Sequence, residues 1–350
     1  MPLRTGYERV MAHRVGELYA AMAKGDGVVK EINKHSIVVS YKDGTTQRYA
    51  YGRQFGVWSG HNVPHELTPF VKAGQTLKQG DPIVYNSHYF SPDKLDPKQI
   101  LFKWGVLARV AFMEINETYE DSCLISKELA KKLLTRDTTV RKLQLEFSQT
   151  ITDLVEVNSV VTPESILCTV YEAPSGASGL FDEASAASLK RLSQNNPRAK
   201  YHGKIEKIEI VYTGDLEDMS ESLRDLVQES DARLYAKCRA LGEPTVDGRV
   251  PVGYRVDGKS MASDTAVIKV YITHDVDMGA GDKLVVCNQM KSIVARCYDT
   301  PHESVDGVPV DMFFGYRSVN NRIVESAILV GTTNVLGKHL TQKLVKAWRG

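Results

Sequence analysis

At 350 residues the chain is roughly twice the usual single-domain length of about 150, so two or three linked cores are expected. Its 44 Lys and Arg against 43 Asp and Glu, with 42% hydrophobic and 25% charged residues, exclude disorder, collagen and coiled coil as the main architecture. A net charge of +1 also argues against a free-standing, strongly basic nucleic-acid binder, so any such role must use local patches or surfaces shared with other chains. Five cysteines with no C-x-x-C pair and an N-terminus without an apolar signal core predict a reducing, cytoplasmic setting. No apolar run approaches the roughly 18 residues of a membrane span.

In chain order, DGVVKEINKHSIVVSY (26–41) reads as two β-branched runs with a polar break, and Asp43-Gly44 as a hairpin signal leading into TTQRYAYG. The next stretch, from Val57 to Pro97, is punctuated by Gly, Pro, Asn and Asp and predicts an irregular connector with short strands. LARVAFM (107–113) reads as a buried strand, and KELAKKLLTR as a helix with Ser126 at its N-cap. LFDEASAASLKRLSQNN (180–196) predicts a short helix before Pro197, and GKIEKIEIVYTG a strand. Leu216, Met219, Leu223, Leu226, Val227, Leu234, Cys238 and Leu241 form a helical stripe with Gly242 and Pro244 as stop signals. TAVIKVYIT places Ala266, Ile268, Val270 and Ile272 on one strand face. SIVARCY, VPVDMFF and RIVESAILV are further apolar runs of a final third expected to be barrel-like, and GKHLTQKLVKAWRG is a basic, helix-like tail.

Several motifs fail on chemistry. Gly331 to His339 imitates a phosphate loop but has one residue too many between its glycines, and His where a magnesium-binding hydroxyl belongs. Asp275-Val276-Asp277 lacks a third acidic ligand and reads as a solvated strand end. Asn116-Glu117-Thr118 fits a glycosylation sequon without a secretory signal, and the nine histidines offer no zinc framework.

Four collinear segments carry a resemblance: TGYERVMAH with AAMAKGDGVVKEINKHSIVV, GVLARVAFMEINETYEDSCLISKELA, AVIKVYITHDVDMGAGDKLVVCNQMKS, and GVPVDMFFGYRSVNNRIVESAIL. Together they resemble the second half of the β subunit of multisubunit DNA-directed RNA polymerases, over about Thr5 to Leu340 with a weak middle from Ser165 to Ser263. The resemblance implies a mixed α+β, β-rich fold containing a double-psi β-barrel. Residues 1–164 would hold the hybrid-binding region and the first part of the barrel, 165–263 a reduced flap or insert with an amphipathic helix, and 264–350 the rest of the barrel. A chain of this extent is similar to the split β subunits of large bacteriophages, which implies an infected host cytoplasm as its setting and leaves packaging in the virion open.

By the same resemblance, Lys283 and Lys291 would clamp the RNA 3′-terminal or incoming phosphates, and Arg322 would reach the triphosphate. Glu120 and Asp121 would stand near the second metal. Such cations and metals oppose the charge that develops on the leaving pyrophosphate. The Mg2+-binding D-x-D-G-D triad belongs to β′ and is absent here. Implied partners are a β N-terminal fragment, a β C-terminal or clamp piece, β′ chains, template DNA, the RNA transcript and NTPs, but no membrane, and the isolated chain is expected to be inactive. Two departures stand out. Cys287 to Ser292 (CNQMKS) replaces the family's R-H-G-x-K-G, keeping only the lysine, and Asp275 and Asp277 replace basic residues. The competing reading is a degenerate β-like assembly module, in which the lysines are solvated, Arg322 pairs with Glu325, and the acidic pair is a helix-terminal charge or loop salt bridge.

Overall fold

The computed structural model describes residues 6–58, 60–103, 105–172, 193–287, 289–305, 307–322 and 325–349. Among the described residues the protein is β-rich, 41% strand and 21% helix, a mixed α+β chain. Among the described residues the sheets are open and no closed barrel forms. The helix expected over 180–196 lies mostly outside the described residues. The chain divides into two compact units: residues 12–100 with 136–274, and residues 1–11 with 101–135 and 275–350.

The unit of residues 12–100 and 136–274 is built on long strands. Gly203–Thr213 and Thr265–Val276 pair antiparallel along nearly their whole length, with one bulge between Ile205 and Lys207. Ala266, Ile268, Val270 and Ile272 are fully buried on one face as the alternation predicts, and join Leu143, Leu145, Ile205 and Ile210 in one core. Against this core lies the helix Glu221–Leu241, which contributes Leu223 and Val227. It begins later than its apolar stripe suggests, because Leu216–Asp218 forms a separate 3-10 turn. It ends where predicted, at Gly242 with φ 70°, in a Schellman closure: Gly242 N–H donates to Arg239 O and Glu243 N–H to Cys238 O.

In the same unit, Gly27–Ile32, Ser36–Tyr41 and Thr46–Ala50 form the predicted meander around Val29, Ile37 and Val39, all fully buried. The Val57–Pro97 stretch corrects the expectation of an irregular connector. Within it the nine-residue strand His61–Pro69 pairs with all of Gly52–Trp58, and Pro82–Asn86 pairs with Ala20–Met22. A proline inside this strand is tolerated because of where it falls on the second ladder. Pro64 lies between Asn62, paired with Thr138, and Leu67, paired with Asn86, where no neighbouring strand needs its missing N–H.

The other unit carries a five-stranded mixed sheet in the order Val110–Phe112, Met312–Phe314, Ser122–Ser126, Met290–Tyr298, Lys283–Val286. Two of its ladders are parallel, Val110–Phe112 on Met312–Phe314 and Ser122–Ser126 on Met290–Tyr298; the other two are antiparallel. Its centre is the strand Ser122–Ser126, whose Cys123, Leu124 and Ile125 are all buried, as expected of a strand covered on both faces. LARVAFM is not the buried strand expected. Only Val110–Phe112 is extended, and Leu107, Phe112 and Met113 are exposed. Ser126 does cap the helix Lys127–Lys132, accepting from Leu129 N–H at 3.1 Å. The last apolar run is helical rather than extended: Tyr316–Asn321 is a short helix, and Glu325–Arg349 a long one that includes the rejected phosphate-loop imitation.

Candidate functional site

Alternation along the antiparallel pair Lys283–Val286 and Met290–Tyr298 decides where the two lysines point. Leu284, Val286, Met290 and Val294 face the core, so Lys283, Val285, Lys291 and Ile293 face solvent. Lys283 stands opposite Ile293 and Lys291 opposite Val285, which makes the lysines diagonal neighbours on one exposed face. Among the described residues neither has a salt-bridge partner. Cys287 has φ 50° in the turn that joins the strands, and Val286 O accepts from Gln289 N–H at 3.2 Å. Cys287 and Gln289 thus lie at the hairpin end, and Lys291 lies on the returning strand. Burial pushes the Cys287 thiol above its ordinary range.

Glu120 and Asp121 sit at the entrance to the central strand, with φ 48° and 69°. Two successive non-glycine residues in the left-handed region are uncommon, and such a conformation persists only where its surroundings fix it. Here four hydrogen bonds do so. Asp121 N–H donates to Ser318 Oγ at 3.1 Å, and Asp121 O accepts from Ser292 Oγ at 2.8 Å and Ile293 N–H at 3.2 Å. Ser122 Oγ donates to Glu117 O at 2.6 Å. Ser292, a polar residue at a buried step of an alternating strand, was the sequence signal for this anchor, and sequence reasoning passed over it.

The Asp121 carboxylate pairs with the Arg322 guanidinium, both partly exposed. Arg322 ends the helix Tyr316–Asn321, so its acidic partner is Asp121 from another segment rather than the nearby Glu325. The helix approaches closely because residue 315 is glycine: a Cβ there would meet Thr118 O at 2.5 Å. Glu114 Oε1 accepts from Arg317 N–H at 2.5 Å, and Glu117 pairs with Arg296 at 3.1 Å. Lys291 adjoins Ser292, and Lys283 stands opposite Ile293, the two residues that hold the Asp121 carbonyl. Five residues singled out in three stretches of sequence therefore gather at one end of one sheet.

No group of three or more His, Cys, Asp or Glu is arranged to hold a metal among the described residues. Asp275 to Asp277 are exposed at and just beyond the end of a strand, as expected. Among the described residues no helix is long and apolar enough to cross a membrane. A scan against models of known protein families finds none that matches the chain, and a search of curated protein sequences finds no match either.

Proposed function

We propose that the chain is a β-subunit fragment of a multisubunit DNA-directed RNA polymerase, holding the RNA–DNA hybrid and helping a partner's Mg2+ centre in nucleotidyl transfer. The observation that carries the reading is the gathering of Lys283, Lys291, Asp121 and Arg322 around the Ser292–Ile293 anchor. Two ammonium groups on one face, without salt-bridge partners among the described residues, are suited to a polyanionic phosphate chain. The strained backbone at Glu120 and Asp121 is of the kind that collects at functional sites. The mixed parallel and antiparallel sheet is the element on which a double-psi barrel is proposed.

In this reading Lys283 and Lys291 neutralise charge on the transferring and leaving phosphates. Arg322 binds triphosphate oxygens, and Glu120 and Asp121 hold water or metal at the second-metal position. The triad, and with it the bond-making metal, comes from the β′ partner. One observation favours a second reading: Asp121 and Arg322 already satisfy each other, which suits an assembly module whose charges are structural. Purification of the chain in its native complex, followed by a promoter-independent RNA synthesis assay, separates the two. Templated synthesis by the complex and none by the isolated chain supports the polymerase reading. A complex that lacks β′-like chains, or that makes no RNA, replaces it with the assembly module.

A further inference from the structure

The helix Glu325–Arg349 buries Ala327 in the core of its unit and leaves most of its remaining length uncovered. Leu336, Leu340, Leu344 and Trp348, four residues apart, form one ridge along it, and their exposure runs from 60% to 91%. Beside the ridge runs a row of small residues, Thr333, Gly337 and Thr341. The two threonine hydroxyls are already satisfied, donating at 2.8 Å to Leu329 O and Gly337 O. A ridge next to a shallow, internally satisfied groove is the relief into which another helix fits by ridges-into-grooves packing. A lipid surface would have no use for the groove. The remaining surface is one-signed: Lys338, Lys343, Lys346 and Arg349 follow Glu325 with no acidic residue among them. Among the described residues none of the four is in a salt bridge.

We propose that this helix is a docking surface for a partner chain that presents an amphipathic helix with a leucine-type stripe flanked by carboxylates. A second copy of this chain would match the relief but set lysine against lysine, so charge selects a different, acidic partner. The inference stands independently of the polymerase reading.

The test titrates the full-length chain against a fluorescent synthetic helix of about twenty residues with leucines at helical spacing flanked by glutamates. A matched helix with lysines in place of the glutamates, and vesicles of equal parts phosphatidylcholine and phosphatidylglycerol, are run in parallel. The glutamate helix should bind at least about tenfold tighter than the lysine helix. Leu340→Glu with Leu344→Glu should weaken it by about tenfold or more, with far-UV circular dichroism unchanged. Lys343→Glu with Lys346→Glu should reverse the preference between the two helices. Three results overturn the proposal: equal binding of both helices, vesicle binding without preference for the glutamate helix, or self-association abolished by the same leucine variant. The second would make this a membrane surface, and the third a homodimer interface.

Discussion

Lys283 and Lys291 share a solvent-facing sheet surface without salt-bridge partners among the described residues, so replacing them removes no packing and little stability. If they oppose phosphate charge in the assembled polymerase, each alanine variant should slow single-nucleotide addition by roughly ten- to a thousandfold on a preformed RNA–DNA scaffold, with subunit assembly intact. Wild-type extension by both variants would assign the hairpin to structure. Arg322 and Asp121 call for a different argument. A half-exposed ion pair contributes about 0–1 kcal/mol, so Arg322→Ala should scarcely change the unfolding midpoint. In the polymerase it should raise the apparent NTP requirement, and should do so equally in an Asp121→Ala background if the guanidinium serves the triphosphate. If Asp121→Ala alone reproduces the Arg322→Ala defect and the two are not additive, the pair acts as a structural unit. The residue types of this site were legible only through the family resemblance, because exposed Lys, Glu and Asp carry no periodic signal. That Asp121 would meet Arg322 across 201 residues of sequence was invisible, since nothing local specifies it.

Hairpins and helix ends were legible where a local rule decides them. Gly242 is an example. Its φ of 70° suits glycine, and the space where a Cβ would stand is bounded by Arg48 Nε at 2.7 Å. Ser36 Oγ donates to Ala240 O at 2.6 Å, so the helix end is also tied to the meander. Gly242→Ala should destabilise the protein by about 1 kcal/mol, read as a lower urea midpoint at unchanged slope. Elements decided by neighbours were not legible: Pro64 looks like a breaker until the interrupted ladder beside it is known. The same helix holds Asp231, buried and accepting from Gly248 N–H at 2.8 Å and Tyr212 Oη–H at 3.1 Å. Burial outweighs these two bonds and raises its carboxyl above the ordinary 3.8. Folding thus favours the protonated form more than the unfolded chain does. The stabilisation from this group is complete below pH 3.8 and is lost as pH climbs through the raised folded value. Asp231→Asn keeps an acceptor for Gly248 and should flatten that part of the stability profile in urea unfolding between pH 3 and pH 7. An unchanged profile would show that Asp231 is not its source.

At the scale of the whole chain, neither compact unit is one continuous stretch: residues 1–11, 101–135 and 275–350 make one, and the intervening residues the other. A sequence read from end to end suggests consecutive domains, because composition carries no mark of a chain that leaves a core and returns to it. A truncation shows the difference. A fragment of residues 1–274 keeps Gly203–Thr213 and most of its partner Thr265–Val276, and should retain slow amide exchange there. The same fragment removes both neighbours of Ser122–Ser126, namely Met290–Tyr298 and Met312–Phe314. Hydrogen exchange at residues 122–126 should then be fast. Persistent protection of that segment would mean that it has another partner in the fragment.

The central position of Ser122–Ser126 between two late strands also sets a timetable during synthesis. Asp121 is translated 171 residues before Ser292, which holds its carbonyl. At about 5–20 residues per second, the apolar Cys123-Leu124-Ile125 run therefore spends roughly ten to thirty seconds outside the ribosome before its sheet can close. During that interval it is an unpaired strand with two open edges, the situation in which nascent chains aggregate or engage chaperones. Slowing translation between codons 126 and 290 should lengthen the exposure and lower the soluble yield, whereas the same slowing before codon 120, when the strand has not yet been made, should have little effect.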